Sequence, residues 1–203
     1  MKKLFILLVL GLFFNNLFLN ADTASDYYKS GNAYLKKGDH NSAIADYSQA
    51  IKLEPNDALK YVNRGIAYYE KGDYDSAIAD YSQAIKLNPN DALYVDRGSA
   101  YYKKGDHNSA IADYSQAIKL NPNYAMAYNY RGIAYYKKGD YDSAIADYSW
   151  AIKLNPNRAA YYNNRGNTYK NKGDYVKAKA DYEEALRINP NHTQARENLR
   201  NLK

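Results

Sequence analysis

The sequence predicts an all-α fold in which five helical hairpins stack side by side. A Gly-Asp dipeptide recurs five times, at intervals of 34, 33, 34 and 34 residues. Every proline follows the same spacing, and a second glycine precedes each Gly-Asp by seven residues. A fixed period of this length is typical of repeat proteins, whose units bury their apolar faces against their neighbours. The markers are Gly38, Gly72, Gly105, Gly139 and Gly173, the prolines are Pro55, Pro89, Pro122, Pro156 and Pro190, and the earlier glycines are Gly31, Gly65, Gly98, Gly132 and Gly166.

Each repeat is predicted to contain two helices. In the second repeat the first helix runs from Ala58 to Lys71, and Gly72 ends it because glycine adopts positive φ readily. Asp73 or Asp75 then caps a second helix over 76–87, and the following proline stops it. Two helices joined by such a short turn form an antiparallel hairpin.

The apolar residues of each hairpin have helical spacing. Tyr61, Gly65 and Tyr68 lie at i, i+4 and i+7 on one face of the first helix, and Ala77 and Tyr81 belong to the matching face of the second. The glycine and alanine lack bulk where the two helices must approach closely. The tyrosines are therefore predicted to fill the space beside that contact.

The N-terminus has the pattern of a secretory signal. Lys2 and Lys3 precede an uninterrupted apolar run of 11 residues over 4–14, which is too short to span a membrane as a helix. We expect a signal peptide over 1–21 with cleavage after Ala21, and an exported, periplasmic or secreted protein of bacterial type with no stable membrane span after cleavage. The alternative is an uncleaved anchor over 4–19.

Composition and motifs argue against several functional classes. The formal charge of +6 is spread along the chain without a long basic run, so no nucleic-acid partner is expected. There is no cysteine, which excludes disulfides and thiolate metal sites. His40 and His107 occupy turn positions that carry tyrosine in other repeats, which indicates aromatic packing rather than metal binding. No phosphate loop, nucleophile motif or converging carboxylate pair occurs, so we expect no enzyme, no cofactor and no metal.

The order of aromatic, glycine, aromatic, alanine, aromatic, alanine and proline on a 34-residue period resembles the tetratricopeptide repeat. The resemblance implies a right-handed superhelical solenoid whose first helices line a concave groove and whose second helices lie outside. It also implies a non-catalytic scaffold for protein–protein interaction. The predicted domain covers 22–203, with repeats at about 24–57, 58–90, 91–124, 125–158 and 159–192 and a capping helix over 193–203.

Two series of charged residues recur in phase with the repeat. An arginine precedes the first-helix glycine in four repeats, with Ser30 in the first, and an aspartate precedes the second-helix tyrosine in all five. Because Ser30 has no preceding repeat, we expect each arginine to pair with the aspartate of the repeat before it. Arginines directed at an anionic ligand are the alternative. The expected pairs are Asp46–Arg64, Asp80–Arg97, Asp113–Arg131 and Asp147–Arg165, which leaves Asp181 without an arginine.

A second stripe on the first helices is predicted to line the groove. It combines aliphatic and tyrosine side chains with flanking charges, which suits an extended peptide or a partner helix anchored by aromatic rings. A module that stacks glycans or small ligands on the tyrosines is the alternative. The predicted groove residues are Val62, Ile66, Tyr69, Glu70, Val95, Ser99, Tyr102, Lys103, Asn129, Ile133, Tyr136 and Lys137.

The third repeat is one residue short. The missing residue falls around 92–94, at the entry of its first helix. A shortened turn explains the difference, and a local change in the groove is the functional alternative.

Overall fold

The computed structural model describes residues 23–202, so the predicted signal peptide, its cleavage after Ala21 and the alternative anchor lie outside the described residues. That part of the chain is entirely helical, without strands. The helices are α1 (23–36), α2 (His40–Leu53), α3 (Ala58–Lys71), α4 (Tyr74–Leu87), α5 (Asp91–Lys104), α6 (His107–Leu120), α7 (Ala125–Lys137), α8 (Tyr141–Leu154), α9 (Ala159–Asn171), α10 (Tyr175–Ile188) and α11 (Thr193–Arg200). None of them is long and apolar enough to cross a membrane.

The helices belong to two compact units, each built from successive hairpins. The first unit ends at Pro89 and the second begins at Asn90. In the first unit α3 packs on α2 and α4, and in the second each helix from α6 to α10 packs on its neighbours in the chain. The boundary coincides with the shortened repeat, where the turn over 88–90 has three residues and the equivalent turn over 54–57 has four.

The helix ends follow the predicted signals. Gly72 has φ of 86° and ends α3, and the Asp73 carboxylate caps α4 by accepting a hydrogen bond from the Ser76 backbone N–H at 3.2 Å. The short turn before α5 is capped in the same way, because Asn90 accepts from the Leu93 N–H at 2.9 Å. The predicted helices of the second repeat are confirmed.

A close contact between glycine and tyrosine holds each hairpin together. A Cβ atom added to Gly132 would lie 2.9 Å from the ring of Tyr148, which is only 2% exposed. The other four repeats repeat this contact between the first-helix glycine and the second-helix tyrosine 16 residues later. The glycines are therefore required by packing.

The arginines and aspartates pair within a hairpin, so the expected pairing between repeats is wrong. In the fourth repeat, Arg131 donates to the Asp147 carboxylate from both Nε and Nη2 at 2.8 Å. The reason is geometric: Arg131 precedes Gly132 and Asp147 precedes Tyr148, so the contact between glycine and tyrosine places them side by side. Asp46 therefore has Ser30 where the other hairpins have arginine, and Asp181 is paired. The observed pairs are Arg64–Asp80, Arg97–Asp113, Arg131–Asp147 and Arg165–Asp181.

The same arginines also reach the preceding repeat, through serine rather than aspartate. Arg131 Nη1 donates to the Ser115 hydroxyl at 2.9 Å, and Ser115 in turn donates to the Ile111 carbonyl of its own helix at 2.7 Å. Arg64 and Arg165 make the same contact, to Ser48 and Ser149. Each of these three arginines thus joins its hairpin to the one before it.

The chain ends in a short packed helix, as predicted. Helix α11 contacts α10 and α9, and Ala195 at its centre is fully buried. The His192 imidazole caps the helix by accepting from the Ala195 N–H at 3.2 Å. The helix ends at Arg200, three residues before the predicted end of the capping segment.

Candidate functional site

The first helices of the second unit lie next to one another in sequence order. Helix α7 contacts α5 and α9, and α9 contacts α11. We call the surface formed by α5, α7, α9 and α11 the groove face.

A cavity of about 280 Å³ lies in the groove face. Three of its lining residues, Ile133, Tyr136 and Lys137, belong to the predicted groove stripe. The structure adds residues from three other helices. The complete lining is Ile133, Tyr136 and Lys137 from α7, Tyr148 from α8, Asn164 and Asn167 from α9, and Gln194 from α11.

Tyr148 brings an unpaired hydroxyl group to this cavity. In the first and fifth hairpins, the equivalent tyrosines Tyr47 and Tyr182 each donate to an asparagine on their own first helix at 2.8 Å. The corresponding first-helix residue of the fourth hairpin is Ile133, which offers no acceptor, and Tyr148 makes no hydrogen bond within residues 23–202. Burial raises the pKa of its phenol, so the group is a neutral hydrogen-bond donor at physiological pH.

The two asparagines of the cavity are held in place by neighbouring helices. Asn164 Nδ2 donates to Asn129 Oδ1 at 3.0 Å. Asn167 Oδ1 accepts from the Tyr182 hydroxyl at 2.8 Å and from Asn198 Nδ2 at 2.9 Å. These bonds leave Asn164 Oδ1 and Asn167 Nδ2 without a partner among the described residues. The cavity thus has one oriented acceptor and one oriented donor, which is the pair that a peptide group requires.

The groove tyrosines are rigid. Asn171 Nδ2 donates to the Tyr136 hydroxyl at 2.6 Å, which holds the ring from the neighbouring helix. Each predicted groove tyrosine also packs on the aromatic residue that begins the second helix of its own hairpin. The ring centroids are 5.5 Å apart for Tyr69–Tyr74, 5.2 Å for Tyr102–His107 and 5.7 Å for Tyr136–Tyr141.

Two predicted groove residues are buried. Val95 is 4% exposed and belongs to a core cluster with Ala127 and Ala134 of the next first helix. Asn129 is 7% exposed and accepts the hydrogen bond from Asn164. Both therefore hold neighbouring first helices together. Of the other predicted residues, Val62, Ile66, Tyr69, Ser99, Tyr102, Ile133 and Tyr136 are half-buried, and Glu70, Lys103 and Lys137 are exposed.

Sequence reasoning missed Tyr148, Asn164, Asn167 and Gln194. The signal for Asn164 and Asn167 was present, because they lie two residues before and one residue after the first-helix glycine. These positions vary among repeats, unlike the glycine itself. Tyr148 was counted as core only, and nothing in its own sequence position shows that its hydroxyl lacks a partner.

No metal site is found in the part of the chain that the structure describes. Groups of three or more potential ligand side chains are absent there. The imidazole Nδ1 atoms of His40 and His107 are buried without a hydrogen bond, and His107 stacks on Tyr102. This agrees with the aromatic packing expected for these positions.

Comparison with known proteins identifies the repeat. The family model for the TPR repeat matches residues 31–72, 98–139 and 132–173, which cover more than half of the chain. A second model, the tetratricopeptide repeat, matches 58–91 and 159–192. No curated protein matches the chain.

Solved structures include similar proteins. The crystal structure of MamA protein is 28% identical with a TM-score of 0.77, and the match covers 85% of this chain and 95% of MamA. YrrB, described as a TPR protein with an unusual peptide-binding site, is 25% identical with a TM-score of 0.73 and coverage of 91% and 96%. A protein from Parabacteroides merdae shares the fold with a TM-score of 0.81 at 20% identity, over 89% of this chain and 72% of that one.

Proposed function

Since the chain belongs to the tetratricopeptide repeat family, we propose that it is a non-catalytic scaffold that binds a peptide segment or helix of a partner protein on the groove face of the second unit. The family and the fold support protein–protein interaction in general. The peptide, its site and its location in the cell envelope are the proposal.

The unpaired hydroxyl of Tyr148 beside the groove cavity carries this proposal. A buried polar group without a partner costs about 1–3 kcal/mol, and a ligand that supplies the partner recovers that cost. A peptide carbonyl is an acceptor of the right kind, and the free donor and acceptor of Asn167 and Asn164 lie in the same cavity. Tyr136 and Ile133 add apolar surface for a side chain. The printed description of YrrB as peptide-binding agrees with this assignment.

The N-terminal segment supports an envelope location. A short apolar run behind two lysines is the pattern of an exported protein. N-terminal sequencing of the chain recovered from a periplasmic extract tests this point. The expected first residue is Asp22, and recovery of the intact N-terminus in the cytoplasmic fraction would contradict it.

Quantitative crosslinking tests the groove. The chain is expressed with its own N-terminal segment, crosslinked in the cell and purified, and the captured proteins are quantified by mass spectrometry. Tyr148→Phe removes only the hydroxyl, and we expect it to lower capture of the main partners about fivefold or more, since one hydrogen bond of about 1 kcal/mol is lost. Tyr136→Ala should lower it further because an aromatic anchor is removed.

The matched control is Tyr47→Phe, which removes the same atom from the first unit. It should leave capture unchanged. Equal capture by wild type, Tyr148→Phe and Tyr136→Ala would exclude the groove face as the binding surface. Binding to an array of glycans that is lost in Tyr136→Ala, without any captured protein, would replace the peptide with a sugar ligand.

A further inference from the structure

Asp96 places an unpaired carboxylate on the groove face. It lies on α5, two residues before the first-helix glycine Gly98. The corresponding residues in the second, fourth and fifth hairpins are Asn63, Tyr130 and Asn164, and α11 has Asn198. This is therefore a position at which the groove face changes its chemistry from repeat to repeat.

The equivalent residues all have partners inside the protein, whereas Asp96 has none. The structure gives Asp96 neither a hydrogen bond nor an ion pair with any residue that it describes. The three asparagines each donate to an asparagine of the preceding first helix, and the tyrosine stacks on a ring of the preceding hairpin. The contacts are Asn63–Asn32 at 3.1 Å, Asn164–Asn129 at 3.0 Å, Asn198–Asn163 at 3.0 Å and Tyr130–Tyr114 with centroids 5.8 Å apart.

Tyrosine rings surround this carboxylate. Burial raises the pKa of Asp96, which shows that its charge is poorly solvated. Burial also raises the pKa of Tyr124 at the start of α7, and the nearby charge of Asp96 adds to that effect. Tyr130 and Tyr161 belong to the same group of interacting phenols. The neighbouring carboxylate Asp91 is already occupied, because it accepts from Asn121 at 2.8 Å.

We propose that Asp96 and the tyrosines beside it bind a lysine or arginine side chain of the partner segment. The proposal rests on the proposed function, since it names the chemistry of the same bound peptide. A cation compensates the half-buried carboxylate, and the faces of aromatic rings attract it as well. A neutral or acidic side chain would leave the carboxylate without a partner.

The first unit already contains this arrangement within the chain. The ammonium group of Lys60 is only 5% exposed and donates to the carboxylates of Glu54, at 2.6 Å, and Asp57. The same ammonium lies 5.6 Å from the centroid of the Tyr28 ring. Lysine, carboxylate and tyrosine thus pack together in a buried setting in this protein.

The positions of Asp96 and the cavity also predict the spacing within the ligand. The carboxylate is on α5 and the cavity is lined mainly by α7 and α9. Neighbouring packed helices lie about 8–10 Å apart, so one to two helix spacings amount to about 10–20 Å. An extended peptide rises about 3.3 Å per residue. The basic residue should therefore lie about three to six residues from the residue that occupies the cavity.

A displayed peptide library tests the proposal. Phage that carry random linear dodecapeptides are selected on the full chain and on two variants, Asp96→Asn and Asp96→Lys. Wild type should enrich one lysine or arginine position about tenfold over the library, since one charge-assisted contact corresponds to about a tenfold change in affinity. Asp96→Asn should abolish that enrichment while still selecting peptides, and Asp96→Lys should replace it with aspartate or glutamate.

The controls separate this inference from the proposed function. Asp46→Asn removes the same charge from the first unit and should retain the basic preference, and circular dichroism verifies that all variants fold. Peptides that depend on Tyr136 but show no basic preference, or a preference that persists in Asp96→Asn, would overturn the cation site and leave the groove intact. No selection of peptides by wild type would overturn both.

Discussion

Two faces of the same first helices follow different rules. One face packs against the second helix of its own hairpin through the contacts of glycine with tyrosine and of arginine with aspartate, which we call the seam. The glycine and tyrosine occur in all five repeats, and the ion pair forms in four. The groove face instead differs in each hairpin, with Asn63, Asp96, Tyr130 and Asn164 at one equivalent position.

The difference separates what specifies the fold from what specifies the ligand. A seam residue must satisfy a fixed partner 16 positions away in its own hairpin, so its identity is constrained in each repeat. A groove residue contacts only neighbouring first helices and whatever binds there. Tyr148 belongs to both faces, because its ring packs in the seam and its hydroxyl group lies at the cavity.

High pH should break the seam as a whole and unfold the protein. Burial raises the pKa of Tyr47 and Tyr182 to about 12, above the ordinary value of about 10. Since the folded-state pKa is raised, the stabilisation is complete below pH 10 and is lost as the pH rises through about 12. Far-UV circular dichroism together with phenolate absorbance should show helix loss within this window. Full helicity at pH 13 would show that the seam tolerates ionised tyrosines.

Removal of one seam carboxylate should cost more than removal of the same residue without an arginine partner. Asp147→Ala leaves the half-buried guanidinium of Arg131 unpaired, and we expect a loss of about 2–3 kcal/mol in the free energy of unfolding. Asp46→Ala removes the same side chain from a hairpin that has Ser30 instead of arginine, so the loss should be below about 0.5 kcal/mol.

Urea denaturation of both variants measures this difference. Circular dichroism follows the whole chain, and the fluorescence of Trp150, which stacks on Tyr128, follows the second unit. Equal midpoints for Asp147→Ala and Asp46→Ala would mean that the ion pair contributes nothing and that the recurrence of arginine has another cause.

The sequence predicted the seam residues well but not how they pair. Recurring glycine, proline, arginine and aspartate identified the hairpins, their ends and the charged residues, because each of these is a local requirement. Arg131 was assigned to Asp113 by counting repeats, whereas the packing of Gly132 against Tyr148 decides in favour of Asp147. That contact was itself predicted, so the correct pairing followed from the sequence once the two helices were aligned.

The groove cavity could be predicted only in part. The stripe that contains Ile133, Tyr136 and Lys137 was correctly placed at it. The stripe also included Val95 and Asn129, which are buried, because helical spacing shows which residues share a face but not how closely the next helix approaches. The missing partner of Tyr148 depends on Ile133 in another helix, and such a pairing has no signature in either segment alone.

The smallest effect on stability should come from a groove residue. Asn164→Ala removes the hydrogen bond to Asn129 and leaves one amide oxygen in a nearly buried position without a donor. The expected loss is about 0.5–1 kcal/mol, less than that of Asp147→Ala, while capture of the partner should fall as it does for Tyr148→Phe. Urea midpoints and crosslinking on the same preparations compare the two quantities. A large loss of stability with unchanged capture would place Asn164 in the structural framework, and the groove face would then have the same role as the seam.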